Sequence, residues 1–371
     1  MLIKDIGEQG LLRILQKFCP AEIVGDDCAV MPTTPNQSLA ITTDMLVDGV
    51  HFSDRTTGPY YAGWRAAAAN LSDLAAMGAK PLAVTVALAV AADTAVEWVE
   101  EFYRGMTACL QEYDTPIVGG DVVRSPVVTV AITAFGEVEC DRTIRRSNAR
   151  SGWAIVATGV HGASRAGLEL LLNPEFGQNL EKVDRASLIL AHQRPKPRLD
   201  VLPVVWEILG SKGAMEPPLS KGGKQDFNSP PLSKGPGGVN SPIAKGGPGA
   251  VQSSIAIAGM DSSDGLADAI IQICRASGVG AKVDRTKIQI PDIFSEIVST
   301  EKALDWALYG GEDFELVLFL PMANAELLVE KIGNGAAIVG IATDSTDMWL
   351  TDSSGIYRDT VLKLDRGFQH F

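Results

Sequence analysis

Six short acidic motifs hold most of the residues that could do chemistry: GDD from Gly25, TTD from Thr42, NLSDLAAMG from Asn70, GGD from Gly119, DSSDG from Asp261 and GGEDFE from Gly310. Most set Asp beside Gly, Ser or Thr, which is also the composition of ordinary turns and helix caps. Two of them depart from that. Asp73 lies inside an Ala-rich helical pattern rather than at a cap, and Asp44 ends an apolar strand with the hydroxyls of Thr42 and Thr43 beside it. Hard oxygen donors drawn from several segments are what Mg²⁺ uses, one or two carboxylates per ion with waters and substrate phosphates completing the octahedron. A set of this size could hold several ions.

The charge balance points the same way. The chain carries a formal net charge of −13 at pH 7, and no stretch combines dense Lys/Arg with aromatics, so electrostatics opposes nucleic-acid binding. The same field repels a phosphate substrate unless cations are recruited. No G-x-x-x-x-G-K-[ST] loop is present, because SKGGKQ from Ser220 has the wrong spacing, and no G-x-G-x-x-G follows a strand. Divalent ions would neutralise both the carboxylates and a triphosphate. The five cysteines, Cys19, Cys28, Cys109, Cys140 and Cys274, include no C-x-x-C pair, which argues against a zinc site or a disulfide framework.

The elements that must position these residues read as mixed α and β. Apolar, β-branched runs predict strands at Leu39 to Thr43, Leu82 to Val90, Val127 to Phe135, Ala154 to Thr158 and Leu316 to Leu320. Tyr60 to Met77 predicts a helix, with Trp64, Ala67, Ala68, Leu71, Leu74 and Ala75 at helical spacing and Gly78 and Pro81 ending it. A second helix is expected to start from a capping box of Thr94 and Glu97 and to bury Val99, Phe102, Met106, Cys109, Leu110 and Tyr113. At 371 residues and 46% hydrophobic, two domains are expected. No apolar run reaches the roughly 18 to 20 residues of a membrane helix, and MLIKDIGEQG lacks the apolar core of a secretory signal, so the cytoplasm is the expected location. Residues 213–254 differ in kind: PPLSKGG at 217 returns as PPLSKGP at 230 and weakly as SPIAKGG at 241. Such a Pro/Gly/Ser/Lys segment is expected to be a disordered surface insertion that interrupts a domain.

GDDCAV, ITTDMLVDGVHF, NLSDLAAMGAKP, IVGGDVVRS, HGASRAGLELLL, MDSSDGLADA and YGGEDFEL follow one another in one order, and as a set the chain resembles the thiamine-monophosphate kinase family. The likeness runs from Leu11 to the terminal GFQHF with only 213–254 outside it. It implies an α/β (α+β) fold of two domains shared with aminoimidazole ribonucleotide synthetase: an ATP- and Mg-binding, dimerising domain at 1–148, and a C-terminal α/β domain at 149–371 interrupted by the insertion. It implies a homodimer, ATP as co-substrate, several Mg²⁺ ions, and in-line transfer of the γ-phosphoryl group to thiamine monophosphate. No catalytic nucleophile is expected, because a phosphate monoester with a second pKa of about 6 is already largely ionised at neutral pH, and positioning with charge neutralisation does the rest.

Residue by residue, the resemblance implies metal ligands at Asp27, Thr42, Thr43, Asp44, Asp73, Asp121, Asp261 and Asp264. A bare GDD does not choose between Asp26 and Asp27, and the family pattern favours the second. ATP contacts are implied at Tyr103, Gly120, Asp121, Arg146 and Ser263. Tyr103 flanks the apolar stripe, so core packing competes with adenine contact there, and Arg146 is chosen over Arg145 by family spacing alone. Thiamine phosphate contacts are implied at His51, Glu312 and Phe368, the last departing from relatives that carry Trp or Tyr. Two alternatives stand beside the kinase: another ATP-using enzyme of the same fold, of ligase or synthetase type, and a non-catalytic Mg-nucleotide-binding protein. A selenophosphate synthetase would want a reactive Cys or selenocysteine in a glycine-rich N-terminal loop, and a hydrogenase-maturation relative a C-terminal Cys; neither is present in this sequence.

Overall fold

The computed structural model describes residues 1–20, 28–29, 31–210 and 256–364. Its first half contains α1 (Ile3–Leu15), β1 (Gln37–Val47), α2 (Pro59–Ala76), β2 (Lys80–Val90), α3 (Val96–Gln111), β3 (Ile117–Arg124) and β4 (Thr129–Glu139). The four strands form one sheet in the order β1-β4-β2-β3, antiparallel except for the parallel pair β2 and β3. After a 3₁₀ turn at Arg146–Asn148 come β5 (Ala154–Ala157), α4 (Ala163–Leu172), α5 (Lys182–Gln193) and α6 (Val201–Gly210). Then follow β6 (Ala258–Asp261), α7 (Leu266–Ser277), β7 (Gly280–Asp284), α8 (Thr300–Tyr309), β8 (Leu316–Leu320), α9 (Met322–Ile332), β9 (Ala337–Thr343), β10 (Met348–Thr351) and β11 (Thr360–Val361). These strands make a second sheet, ordered β11-β10-β7-β9-β5-β8-β6. The expected insertion at 213–254 lies outside the described residues. Among those described, no helix is long and apolar enough to cross a membrane.

α2 is the element on which both sheets converge. Pro59 at its start supplies a helical φ and no orphan N–H. Its burial is not a stripe: Trp64, Ala67, Leu71 and Leu74 face the first sheet and α3, while Ala75 and Ala76 pack with Ile144, Val156, Val205 and Leu318 around the second. A helix buried nearly all round needs small residues where neighbours come close. A Cβ on Gly63 would sit 1.9 Å from the carbonyl O of Phe102, and one on Gly105 would sit 1.7 Å from that of Tyr60, so this pair of glycines lets the backbones of α2 and α3 touch.

The expected strands all fall on observed ones, with β1 running on to Val47 and β4 starting at Thr129 rather than Val127. IVGGD, which had no element assigned from the sequence, begins β3. The capping box at Thr94 is not formed. Ala95 is the N-cap of α3 and makes no side-chain cap bond. The Thr94 N–H that the box would have paired with Glu97 donates instead to Ala91 O at 3.1 Å, and the chain start docks beside it, Ile3 N–H on Thr94 O at 3.0 Å and Val96 N–H on Met1 O at 3.1 Å.

Candidate active site

Strand alternation puts Thr42 and Asp44 on the face of β1 that meets α2. Thr42 Oγ1 donates to Asp73 Oδ2, and the Asp44 backbone N–H donates to Asn70 Oδ1 at 3.3 Å. On the other side of the helix Ser72 Oγ donates to Asp261 Oδ2 at 2.7 Å, and Ser263 Oγ reaches Asp261 Oδ1 at 3.1 Å. One turn of α2, Asn70 to Asp73, is thereby clasped between β1 of the first sheet and the end of β6 of the second. Burial pushes the Asp44 carboxyl up to about 6, with repulsion from Asp73 and Asp264 adding to it. Burial likewise lifts Asp261 to about 7, reinforced by Asp73 and opposed by the Ser72 and Ser263 bonds. Asp73 is raised by burial, against the Thr42 bond and the nearby charge of Arg146.

These carboxylates feel one another electrostatically, yet among the described residues no three carboxylate, imidazole or thiol groups form a closed ligand set. The two findings agree, because Coulomb repulsion in a poorly solvated site reaches well past ligand contact. An open, all-oxygen arrangement fits a cation that keeps waters and takes substrate oxygens, and lacks the sulfur and nitrogen donors of zinc.

Of the residues expected to bind metal, Thr42, Asp44, Asp73, Asp261 and Asp264 come together. Thr43 points to the opposite sheet face, its hydroxyl 2.9 Å from Thr133 Oγ1. Asp121 is further removed. It pairs through Ala87 and Ala131 to the row of Met45, so it lies on the far edge strand and on the face opposite Asp44, three strand spacings or about 14 Å across the sheet. Asp27 lies outside the described residues.

The expected ATP contacts divide into two groups. Tyr103, Gly120 and Asp121 line a largely apolar cavity of about 600 Å³ between α1 and β3, together with Leu15 and Cys19. Tyr103 is both core and wall: it is buried, its ring centroid is 5.4 Å from that of Phe18 and 6.1 Å from that of Phe102, and burial raises its phenol pKa. Arg146 and Ser263 stand instead at the carboxylate cluster. Arg146 donates to Gln272 Oε1 at 2.8 Å while its charge acts on Asp73.

Of the expected substrate residues, His51 is engaged in its own turn. Its Nδ1 accepts from the Val47 N–H at 3.1 Å, which leaves the ring proton on Nε2. Phe368 lies outside the described residues. Glu312 sits in a loop of unusual backbone, where Gly311, Glu312 and Phe314 have φ of 66, 60 and 54°. For the two non-glycine residues this conformation is strained and persists only where surroundings over-determine it. Here Glu312 N–H donates to Ser263 O at 2.7 Å, and Asp313 accepts from Gly162 N–H at 2.7 Å and Ser164 N–H at 2.9 Å at the start of α4. Gly311 has no room for a side chain, since a Cβ would come 2.6 Å from Ser263 O. The GGEDFE loop is thus locked onto the DSSDG turn.

Residues 25–138 match the family model "AIR synthase related protein, N-terminal domain". Over its whole length the chain is 44% identical to a thiamine-monophosphate kinase of Synechococcus elongatus, covering 98% of that protein. The chain belongs to the thiamine-monophosphate kinase family. Two solved structures agree with this. The thiamine-monophosphate kinase of Stenotrophomonas maltophilia K279a is 28% identical with a TM-score of 0.69, the match covering 91% of this chain and 93% of that one. A structure described as "AaThiL complexed with AMPPCP and TMP" is 26% identical with a TM-score of 0.65, covering 97% and 98%.

Several polar residues of this thiamine-monophosphate kinase family member escaped the sequence reading. Asn70 and Ser72 are fully buried, Asn70 accepting from the Asp44 backbone N–H and Ser72 donating to the Asp261 carboxylate, Asp313 anchors the loop, and Arg65 reaches Glu312 from inside α2. A charged residue within the buried pattern WRAAAANL was the one available signal. His192 lies beside them, its Nδ1 3.2 Å from Ser164 Oγ and 3.6 Å from Glu312 Oε2. Burial, with Arg65 and Arg165 nearby, pushes His192 down to about 2, so the approach to Glu312 is not an ion pair. Burial also lowers His161 to about 4. Groups whose folded pKa is depressed bind protons first in the unfolded chain, so these two imidazoles contribute stability above pH 6.5 that is lost as pH falls toward their folded values. NMR of ¹⁵N-labelled histidine is expected to show both rings uncharged at pH 5; titration of either near 6.5 would contradict their enclosure.

Proposed function

We propose that the chain transfers the γ-phosphoryl group of ATP to the phosphate of thiamine monophosphate, giving thiamine diphosphate and ADP, with Mg²⁺ ions held by its clustered aspartates. The observation that carries this reading is the oxygen-lined carboxylate cluster where α2, β1 and β6 meet, in a chain alignable end to end with a relative described as complexed with AMPPCP and TMP. Thr42, Asp44, Asp73, Asp261 and Asp264 would hold metal, joined by Asp27 and Asp121. Bound Mg²⁺ would neutralise charge on the phosphates and on the carboxylates together. Arg146 offers a planar fork to a phosphate beside Asp73, and Ser263 adds a hydroxyl there. The apolar cavity at Tyr103 and Gly120 suits an adenine ring, and Glu312 offers a carboxylate to the cationic thiamine. No side chain needs to remove a proton from an acceptor phosphate that is already ionised.

Residues 1–148 and 149–371 are taken as the two domains, and the cytoplasm as the place of reaction. The positions of Asp44 and Asp121 support a homodimer. One chain separates them by the width and by the face of its sheet, so a site using both draws them from two copies. The open face of β1 offers the surface, with Leu39, Ile41 and Met45 each more than half exposed. Mixing inactive Asp44→Asn and Asp121→Asn subunits is expected to restore about a quarter of wild-type activity, since half the random dimers then carry one intact site. No recovery in subunit-exchanged samples would place both aspartates in one chain's site.

The reaction itself is tested with purified protein, ATP, Mg²⁺ and thiamine monophosphate, read by chromatography. Thiamine diphosphate and ADP are expected in equal amounts. ADP without thiamine diphosphate would favour a synthetase-type enzyme, and neither product a nucleotide-binding protein.

A further inference from the structure

Arg65 is 3% exposed, yet its guanidinium crosses from α2 to the GGEDFE loop. Nη2 donates to Glu312 Oε1, Nη1 donates to the His192 carbonyl O at 2.6 Å on the last turn of α5, and Nε has no partner. Enclosing a guanidinium costs several kcal/mol unless a counter-charge is fixed beside it. The counter-charge here is a carboxylate whose side chain is 34% exposed, so one side of Glu312 is held from within and the other stays open to a ligand. The strained backbone at Glu312 and the anchoring of Asp313 restrict the main chain, while Arg65 restricts the carboxylate. A rigid fork does this where a flexible ammonium would not.

We propose that Arg65 is a positioning residue that orients the Glu312 carboxylate for the cationic thiamine moiety, so that substrate affinity depends on a side chain the substrate does not touch. This rests on the reading of Glu312 as a substrate contact. Because Arg65 and Asp73 share α2, the same helix sets both the metal cluster and the thiamine contact.

The test is steady-state kinetics on the full chain carrying Arg65→Met, Arg65→Lys, Glu312→Gln, or Arg65→Met with Glu312→Gln. Arg65→Met is expected to raise KM for thiamine monophosphate about tenfold, more than it lowers kcat, with KM for ATP within about twofold of wild type. Arg65→Lys should fall between Met and wild type. The double variant should be no worse than Glu312→Gln alone, because Arg65 acts only through that carboxylate. Additive losses, or equal rises in both KM values, would mean Arg65 merely packs α2 against α5 and would overturn the proposal. Should Arg65→Met not fold, Arg65→Lys decides alone: a wild-type KM for thiamine monophosphate overturns the proposal. If Glu312→Gln itself leaves that KM unchanged, the reading of Glu312 fails and the proposal with it. If Glu312→Gln raises KM and Arg65→Met does not, only the proposal fails.

Discussion

Asp44→Asn is expected to lower kcat by about 10³-fold or more while making the metal-free protein more stable. The two effects have one cause. Burial and the charges of Asp73 and Asp264 lift the Asp44 carboxyl to about 6, so in the absence of a cation its ionised form opposes folding. A carboxylate with a raised folded pKa carries a penalty that is complete above that value and gone below its unfolded value near 3.8. Chemical denaturation in chelator at pH 8 should therefore show a gain on the order of 1–3 kcal/mol for the variant, shrinking toward zero at pH 4. Saturating Mg²⁺ should reverse the ranking, because only the wild type then gains the full binding free energy. A variant that loses stability in chelator at pH 8 would instead show that Asp44 is a structural residue.

Arg198→Met is expected to cost about 3–5 kcal/mol in stability, the usual result of stranding a buried carboxylate. Glu315 at the end of the GGEDFE loop is paired with Arg198 and accepts from Thr158 Oγ1 at 2.6 Å, while Arg198 also donates to Thr158 O at 2.9 Å. Burial raises the Glu315 pKa and Arg198 pulls it back. Without the guanidinium that pKa rises further, so the loss should be larger at pH 8 than at pH 5. Arg198→Met with Glu315→Gln should recover most of it, since Gln still accepts from Thr158. The loop should suffer alongside stability, because Ser262 N–H donates to Glu315 O at 2.8 Å and Glu315 N–H to Ser262 Oγ at 3.2 Å, joining it to the DSSDG turn. A loss under 1 kcal/mol by urea denaturation would mean that water reaches Glu315.

Much of this was legible along the chain. Periodicity located α2, α3 and the principal strands, because spacing of apolar residues reports which face of an element is buried. At Thr94 a local turn wins over the capping box: the Thr94 N–H that Glu97 would have accepted donates to Ala91 O, and the helix begins one residue later. Thr42 and Thr43 look equivalent as hydroxyl donors, but the two-residue period of a strand sends them to opposite faces. Arg65 escaped notice because a lone arginine in an Ala-rich helix ordinarily reads as a solvated residue, and its partner Glu312 lies 247 residues away.

By itself the sequence determined which residue types were available: acidic motifs, no phosphate loop, and an ordered motif set that carries family membership. Those properties are local, residing in side-chain chemistry and spacing. Only the tertiary structure decided that Asp44, Asp73 and Asp261 lie together around α2, that Asp121 stands across the sheet from them, and that Arg65 grips Glu312. Those pairings depend on sheet order and on which surface of α2 each sheet covers, and both follow from packing between segments far apart in the chain.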